Sequence, residues 1–110
     1  MDRLRVYGAD MDGAMDRFLG DTALYRECFQ MFLDDPAYAA LDDAMARQDT
    51  AAAFDAAHTL KGISGNLGLT PFYEAVCALV EVLRRGETEG LAEKYQAVLA
   101  EMAAVKQLKK

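Results

Sequence analysis

A chain of 110 residues, 53% of them hydrophobic, suits one domain over residues 1–110 with one modest core. Its net charge of −6 argues against a nucleic-acid binder, which needs a basic face to displace counterions. No apolar run approaches the roughly 20 residues of a membrane span. The acidic start Met1-Asp2-Arg3 is unlike a signal peptide, so no membrane association and a cytoplasmic location are expected.

Beta-branched residues are sparse and alanine is abundant, which predicts an all-α chain without repeats. Residues Met1 to Ala9 carry little pattern. Met11, Ala14, Met15, Phe18 and Leu19 then predict a short amphipathic helix that Gly20 can end, weakened by Gly13. Asp21 is a candidate N-cap for the next helix, with Leu24, Cys28, Met31 and Phe32 as its buried stripe and Tyr25 and Phe29 widening it. Asp34-Asp35-Pro36 interrupts the run, giving either one kinked helix or two that abut. Ala37, Leu41, Ala44 and Met45 carry an apolar face on to about Gln48.

Asp49 can cap the next helix, which runs to about Asn66. Leu67-Gly68-Leu69 turns the corner, and Thr70-Pro71 opens another helix in cap-then-proline order. Phe72, Val76, Leu79, Val80 and Leu83 form its core stripe, and Arg84-Arg85-Gly86 closes it. Thr88 is a candidate cap for the last helix, where Leu91, Tyr95, Val98, Leu99, Met102 and Val105 repeat the pattern and Lys106, Lys109 and Lys110 suit the C-terminal end. Short turns between such helices favour antiparallel neighbours, hence an up-and-down four-helix bundle with an additional short N-terminal helix. Pairing about the 67–69 turn should bring residues 77–81 level with His58. Cys28 and Cys77 form no C-x-x-C pair and are expected as buried free thiols.

His58 is the only histidine. At about 100° per residue, Ala53, Ala56, Leu60, Ile63 and Leu67 share one helix face, while Phe54, His58, Lys61, Gly62 and Gly65 share the opposite one. A lone histidine is usually structural, but this one faces water beside two glycines, each costing roughly 1 kcal/mol of helix stability relative to alanine. Such a cost suggests that something large must come close to the imidazole: a docking surface around a nucleophile. Ser64 projects toward the core, so a structural hydrogen bond is expected of it. One histidine makes no convincing metal site. A Walker loop, a kinase glycine loop and an acidic metal cluster are all lacking beside His58.

The run His58-Thr59-Leu60-Lys61-Gly62, continued by Ser64-Gly65-Asn66-Leu67-Gly68, resembles the phosphorylation motif of histidine-containing phosphotransfer (HPt) domains, and the flanking helical pattern extends the resemblance over most of the chain. That resemblance implies a helical module relaying phosphoryl groups between aspartates of receiver domains, with His58 Nε2 attacking an aspartyl phosphate. A neutral imidazole, with an ordinary pKa of about 6.5, is a good nucleophile near pH 7. Lys61, one turn along, would stabilise charge on the equatorial oxygens, with Gly62 and Gly65 giving steric access. Phe54 reads equally as docking surface or core edge, and Arg84 on the antiparallel neighbour would join the same patch.

The implied partners are receiver domains of a hybrid sensor kinase or a response regulator. Mg²⁺ is expected on the receiver, and no cofactor on this chain, which acts as a transfer intermediate without an ATP site of its own. A monomer is the simplest state. Two alternatives stand beside this reading: a helical adaptor that docks a receiver or kinase without carrying phosphate, and the phosphoacceptor module of a larger histidine kinase.

Overall fold

The computed structural model describes residues 2–108, and no strand occurs among them. Seven helices follow in chain order: α1 (Asp2–Tyr7), α2 (Met11–Arg17), α3 (Thr22–Leu33), α4 (Ala37–Arg47), α5 (Thr50–Asn66), α6 (Thr70–Arg84) and α7 (Leu91–Gln107). Lys109 and Lys110, expected at the last helix's end, lie outside the described residues.

Three aspartates start helices by local chemistry. Asp10, Asp21 and Asp49 accept from the backbone N–H groups of Gly13, Leu24 and Ala52 respectively. Each satisfies one donor that the first helical turn leaves without a partner. At the break after α3 the Asp35 carboxylate accepts from Ala37 N–H at 2.8 Å, and Pro36 takes the cap position of α4. The two-helix alternative is therefore the one realised.

Sequential helices pack on one another, α4 on α5, α5 on α6 and α6 on α7. Leu41, Leu60, Leu79, Val80 and Val98 are buried between them, and burying each such side chain is worth about 1.5–3 kcal/mol. From α3, Phe32 meets Phe72 of α6 edge-on, ring centroids 5.3 Å apart, and Tyr38 of α4 packs against both rings.

Several expectations are corrected. Seven helices stand where four plus one were expected, because α3 and α4 are separate and α1 forms where the sequence carries little pattern. Its one buried residue is Leu4, and the Tyr7 hydroxyl ties it to Glu101 of α7 at 2.8 Å. Tertiary contact decides this helix; periodicity does not. The second helix ends at Arg17, and Leu19, expected on its apolar face, is 92% exposed in a left-handed turn shared with Gly20. On α3 the buried stripe is Tyr25, Phe29 and Phe32, with Leu24 and Met31 exposed and Cys28 half-buried. Cys77 is likewise half-buried. Thr70 is already helical, so Leu69 is the cap, and the Thr70 hydroxyl donates to the Gly68 carbonyl. Gly90, with φ of 77°, begins α7 in place of Thr88. Leu99 is 40% exposed and Met45 half-buried.

The N-terminal helices have a definite task at the end of α5. Leu69 N–H donates to the Ser64 carbonyl and Gly68 N–H to that of Gly65, with Gly68 at φ of 70°. This is the Schellman arrangement that closes many helices. The Asn66 and Leu67 carbonyls would still lack partners, since Thr70 N–H turns to the Gly68 carbonyl and Pro71 has no N–H to offer Leu67. Arg17 Nε donates to the Asn66 carbonyl at 3.0 Å, the buried Tyr25 hydroxyl to Leu67 at 2.6 Å, and Asp10 N–H to Gly68 at 2.8 Å. A Cβ on Gly68 would meet the Asp10 carbonyl oxygen at 2.5 Å, so only glycine allows that approach. The end of α5 is thus fixed from outside its own hairpin.

Candidate functional site

The outward face of α5 carries Phe54, His58, Lys61, Gly62 and Gly65, as the helical spacing predicts. His58 is exposed, Gly62 is exposed, and Phe54, Lys61 and Gly65 are half-buried. The hydrogen bonds nearest the histidine run from Thr59 Oγ1 to the Asp55 carbonyl and from Ser64 Oγ to the Lys61 carbonyl, each 3.1 Å. Ser64 is fully buried, so its bond is the structural one expected. Among the described residues no hydrogen bond reaches the imidazole, and Lys61 takes part in no ion pair.

Two open depressions flank His58. One, of about 220 Å³, is lined by His58, Lys61, Gly62, Gly65, Asn66 and Tyr73. The other, of about 350 Å³, lies over Thr50, Ala51, Phe54, Asp55, Leu83 and Arg84. Between them the Phe54 and His58 rings stack, centroids 5.8 Å apart and planes inclined by 30°. The Arg84 guanidinium lies over the Phe54 ring at 5.7 Å and is paired with Glu81 at 3.0 Å. A larger hollow of about 570 Å³, between the α4–α5 corner and the start of α7, includes neither His58 nor Lys61. Chemistry outweighs size here, since that hollow is lined by no imidazole, thiol or ammonium group.

The two glycines differ. A Cβ on Gly62 would meet nothing within 4 Å, whereas on Gly65 it would meet the Tyr73 ring at 3.1 Å. Tyr73 is the residue that sequence reasoning missed. The Cys77 thiol one turn on holds its phenol above the usual tyrosine range. The signal was present in the register. The pairs Gly65–Tyr73 and Phe54–Arg84 are both symmetric about Leu69, and the same symmetry sets Val80 opposite His58, within the expected 77–81 span.

Among the described residues, then, an exposed imidazole with no hydrogen-bond partner, an ammonium without an ion pair and bare backbone at Gly62 share one open surface. No cluster of three or more His, Cys, Asp or Glu side chains that could hold a metal occurs among the described residues, and no helix there is long and apolar enough to cross a membrane. Compared with known families, residues 27–108 match the Hpt domain. The chain belongs to the Hpt domain family. Neither the curated proteins nor the solved structures compared with it gave a match. Membership in the Hpt family implies a part in phosphorelay phosphotransfer, in which such domains interact with receivers. The matched span takes in α4 to α7 and most of α3; Arg17 and Tyr25, which fix the end of α5, precede it.

Proposed function

We infer that His58 is the phosphoacceptor through which this Hpt chain relays a phosphoryl group between aspartates of two receiver domains. The observation that carries the reading is the exposed imidazole beside Gly62, where even a side-chain carbon would meet nothing within 4 Å. A receiver's approach needs that space.

In the step proposed, His58 Nε2 attacks the phosphorus of an aspartyl phosphate. The N–P bond forms as the acyl O–P bond breaks, and the aspartate departs as a carboxylate. The new phosphoimidazolium can release its Nδ1 proton to water, and attack by a second receiver's aspartate reverses the sequence. Charge spreads over the equatorial oxygens at the transition state, where the Lys61 ammonium stabilises it. The receiver supplies the aspartate and its Mg²⁺. This chain supplies the nucleophile, the cation and the access at Gly62, with Gly65 and Tyr73 forming the wall of the cup. Phe54 and Arg84 line the depression on the other side of His58.

The reading treats residues 1–110 as one Hpt module, monomeric and cytoplasmic. It takes α3 and α4 as one bent arm of an up-and-down four-helix bundle completed by α5, α6 and α7, with α1 and α2 as the N-terminal addition. The direct test uses a receiver charged with labelled acetyl phosphate and Mg²⁺. The chain should acquire an acid-labile, base-stable label that His58→Gln abolishes with the fold intact. Label persisting in the variant would remove His58 from the mechanism, and a chain that binds receiver without labelling would be the adaptor instead.

A further inference from the structure

An imidazole nucleophile attacks through a lone pair lying in its ring plane. The direction of that plane therefore decides whether the nitrogen points at phosphorus or past it. The last torsion of a histidine side chain is broad, so an unrestrained ring samples many planes. Histidines are commonly fixed by a hydrogen bond to one ring nitrogen, but among the described residues none reaches His58. A different restraint lies against the ring. Phe54, one turn earlier, stacks on it with centroids 5.8 Å apart and an inclination of 30°.

Phe54 is itself held. It is half-buried and packs against the core, and the Arg84 guanidinium covers its ring at 5.7 Å. Glu81 pairs with Arg84 at 3.0 Å. Contacts therefore run unbroken from Glu81 and Arg84 on α6, through the Phe54 ring, to the imidazole on α5. Building on the reading of His58 as phosphoacceptor, we propose that Phe54, braced by Arg84, is a positioning residue that sets the plane and rotamer of the His58 ring. This differs from a docking role. A docking residue changes how much receiver is bound, whereas a positioning residue changes how fast the bound complex reacts.

The test needs one variant that removes the aromatic face and one that keeps it. Phe54→Leu retains apolar volume without a ring, and Phe54→Tyr retains the ring. In the NMR spectrum of the unphosphorylated chain, the His58 Hδ2 and Hε1 resonances should carry a ring-current shift, and its side-chain couplings should report one dominant rotamer. Both signatures should be lost in Phe54→Leu and kept in Phe54→Tyr. With a receiver that labels the wild-type chain, charged by acetyl phosphate and Mg²⁺, the transfer rate at saturation should fall about two- to tenfold in Phe54→Leu. It should return in Phe54→Tyr, with the half-saturating receiver concentration unchanged. Arg84→Gln, which disturbs no buried group, should weaken the same signatures in part, so the question stays open to measurement if Phe54→Leu fails to fold.

Phosphoramidate gives the control. This small reagent can approach the ring from any side, its own N–P bond breaking and ammonia leaving as the imidazole N–P bond forms. It should label the wild type and both Phe54 variants alike. Failure to label the wild type would sink the phosphoacceptor reading, while the ring-current result would still report whether Phe54 orders the imidazole. Unaltered ring signatures in Phe54→Leu, or a change confined to the half-saturating concentration, would overturn the positioning role.

Discussion

At Gly62 a side-chain carbon would meet nothing within 4 Å, whereas one turn along the same face, at Gly65, it would meet the Tyr73 ring at 3.1 Å. By helical spacing alone the two glycines read alike, as bare backbone beside a nucleophile. The structure separates them. The space at Gly62 is open, and the space at Gly65 is filled by the chain's own neighbouring helix. The contrast extends along α5. Its middle, from Phe54 to Gly62, is open to approach, whereas its end, from Asn66 to Gly68, is fixed by Arg17, Tyr25 and Asp10. A surface that must receive a partner without deforming benefits from having its far end tied down.

The open half can be challenged most severely at Gly62. Gly62→Gln adds a side chain that strains nothing in the chain itself, because no neighbour crowds its Cβ. Transfer from a charged receiver should fall roughly a hundredfold or more, since small displacements from the reacting geometry are costly. The melting temperature should hold or rise, because glutamine is the better helix former by nearly 1 kcal/mol. Normal transfer in this variant would mean that the open space is not there for access.

The fixed half is tested by Tyr25→Phe. The Tyr25 side chain is fully buried, and its hydroxyl is the donor to the Leu67 carbonyl. Its loss leaves a buried acceptor without a partner, at a cost of about 1–3 kcal/mol. For a domain of this size each kcal/mol lowers the melting temperature by roughly 4–8 °C. Burial pushes the phenol from its ordinary 10.0 up to about 12. The folded state therefore holds that proton more tightly than the unfolded state. The stabilisation is complete below pH 10 and declines as the pH climbs through 12, so the deficit of the variant relative to wild type should shrink across that window. Transfer at saturation should change little if the chain remains folded, which separates this end of α5 from the other. A melting temperature equal to wild type would remove Tyr25 from the clamp.

The two halves were unequally legible in the sequence. Helices α5 and α6 stand out because their apolar residues recur over several turns, in α5 between the Asp49 cap and Gly68, in α6 between Pro71 at its start and Gly86 just past its end. His58, Lys61 and Gly62 follow directly from that period. The clamp does not, because it joins side chains of α2 and α3 to backbone carbonyls far along the chain, and no local pattern encodes such a partner. On α3 the sequence offers two apolar stripes only one residue step apart, about 100° around the helix. One contains Leu24, Cys28 and Met31, the other Tyr25, Phe29 and Phe32. The aromatic stripe is the buried one: its rings remove more apolar surface from water, and the Leu67 carbonyl satisfies the one polar group that Tyr25 brings inside. Periodicity could not weigh either factor. Tyr73 lay between these extremes, recoverable from the symmetry about Leu69 but from no feature of its own segment.

The smallest expected effect bears most directly on the contrast between the glycines. Alanine at either position gains about 1 kcal/mol of intrinsic helix preference. At Gly62 nothing opposes that gain, so Gly62→Ala should raise stability by nearly the full amount. At Gly65 the new methyl would press on the Tyr73 ring, which must yield by a few tenths of an ångström. Gly65→Ala should therefore gain less than Gly62→Ala, or lose. Removing the ring as well should restore the difference, so that in a Tyr73→Ala background Gly65→Ala recovers the stabilisation seen at Gly62. Urea unfolding of the four chains in a double-mutant cycle measures the coupling between the two positions. A coupling of zero would show that the ring moves aside freely, and Gly65 would then belong with Gly62 as space left for a partner.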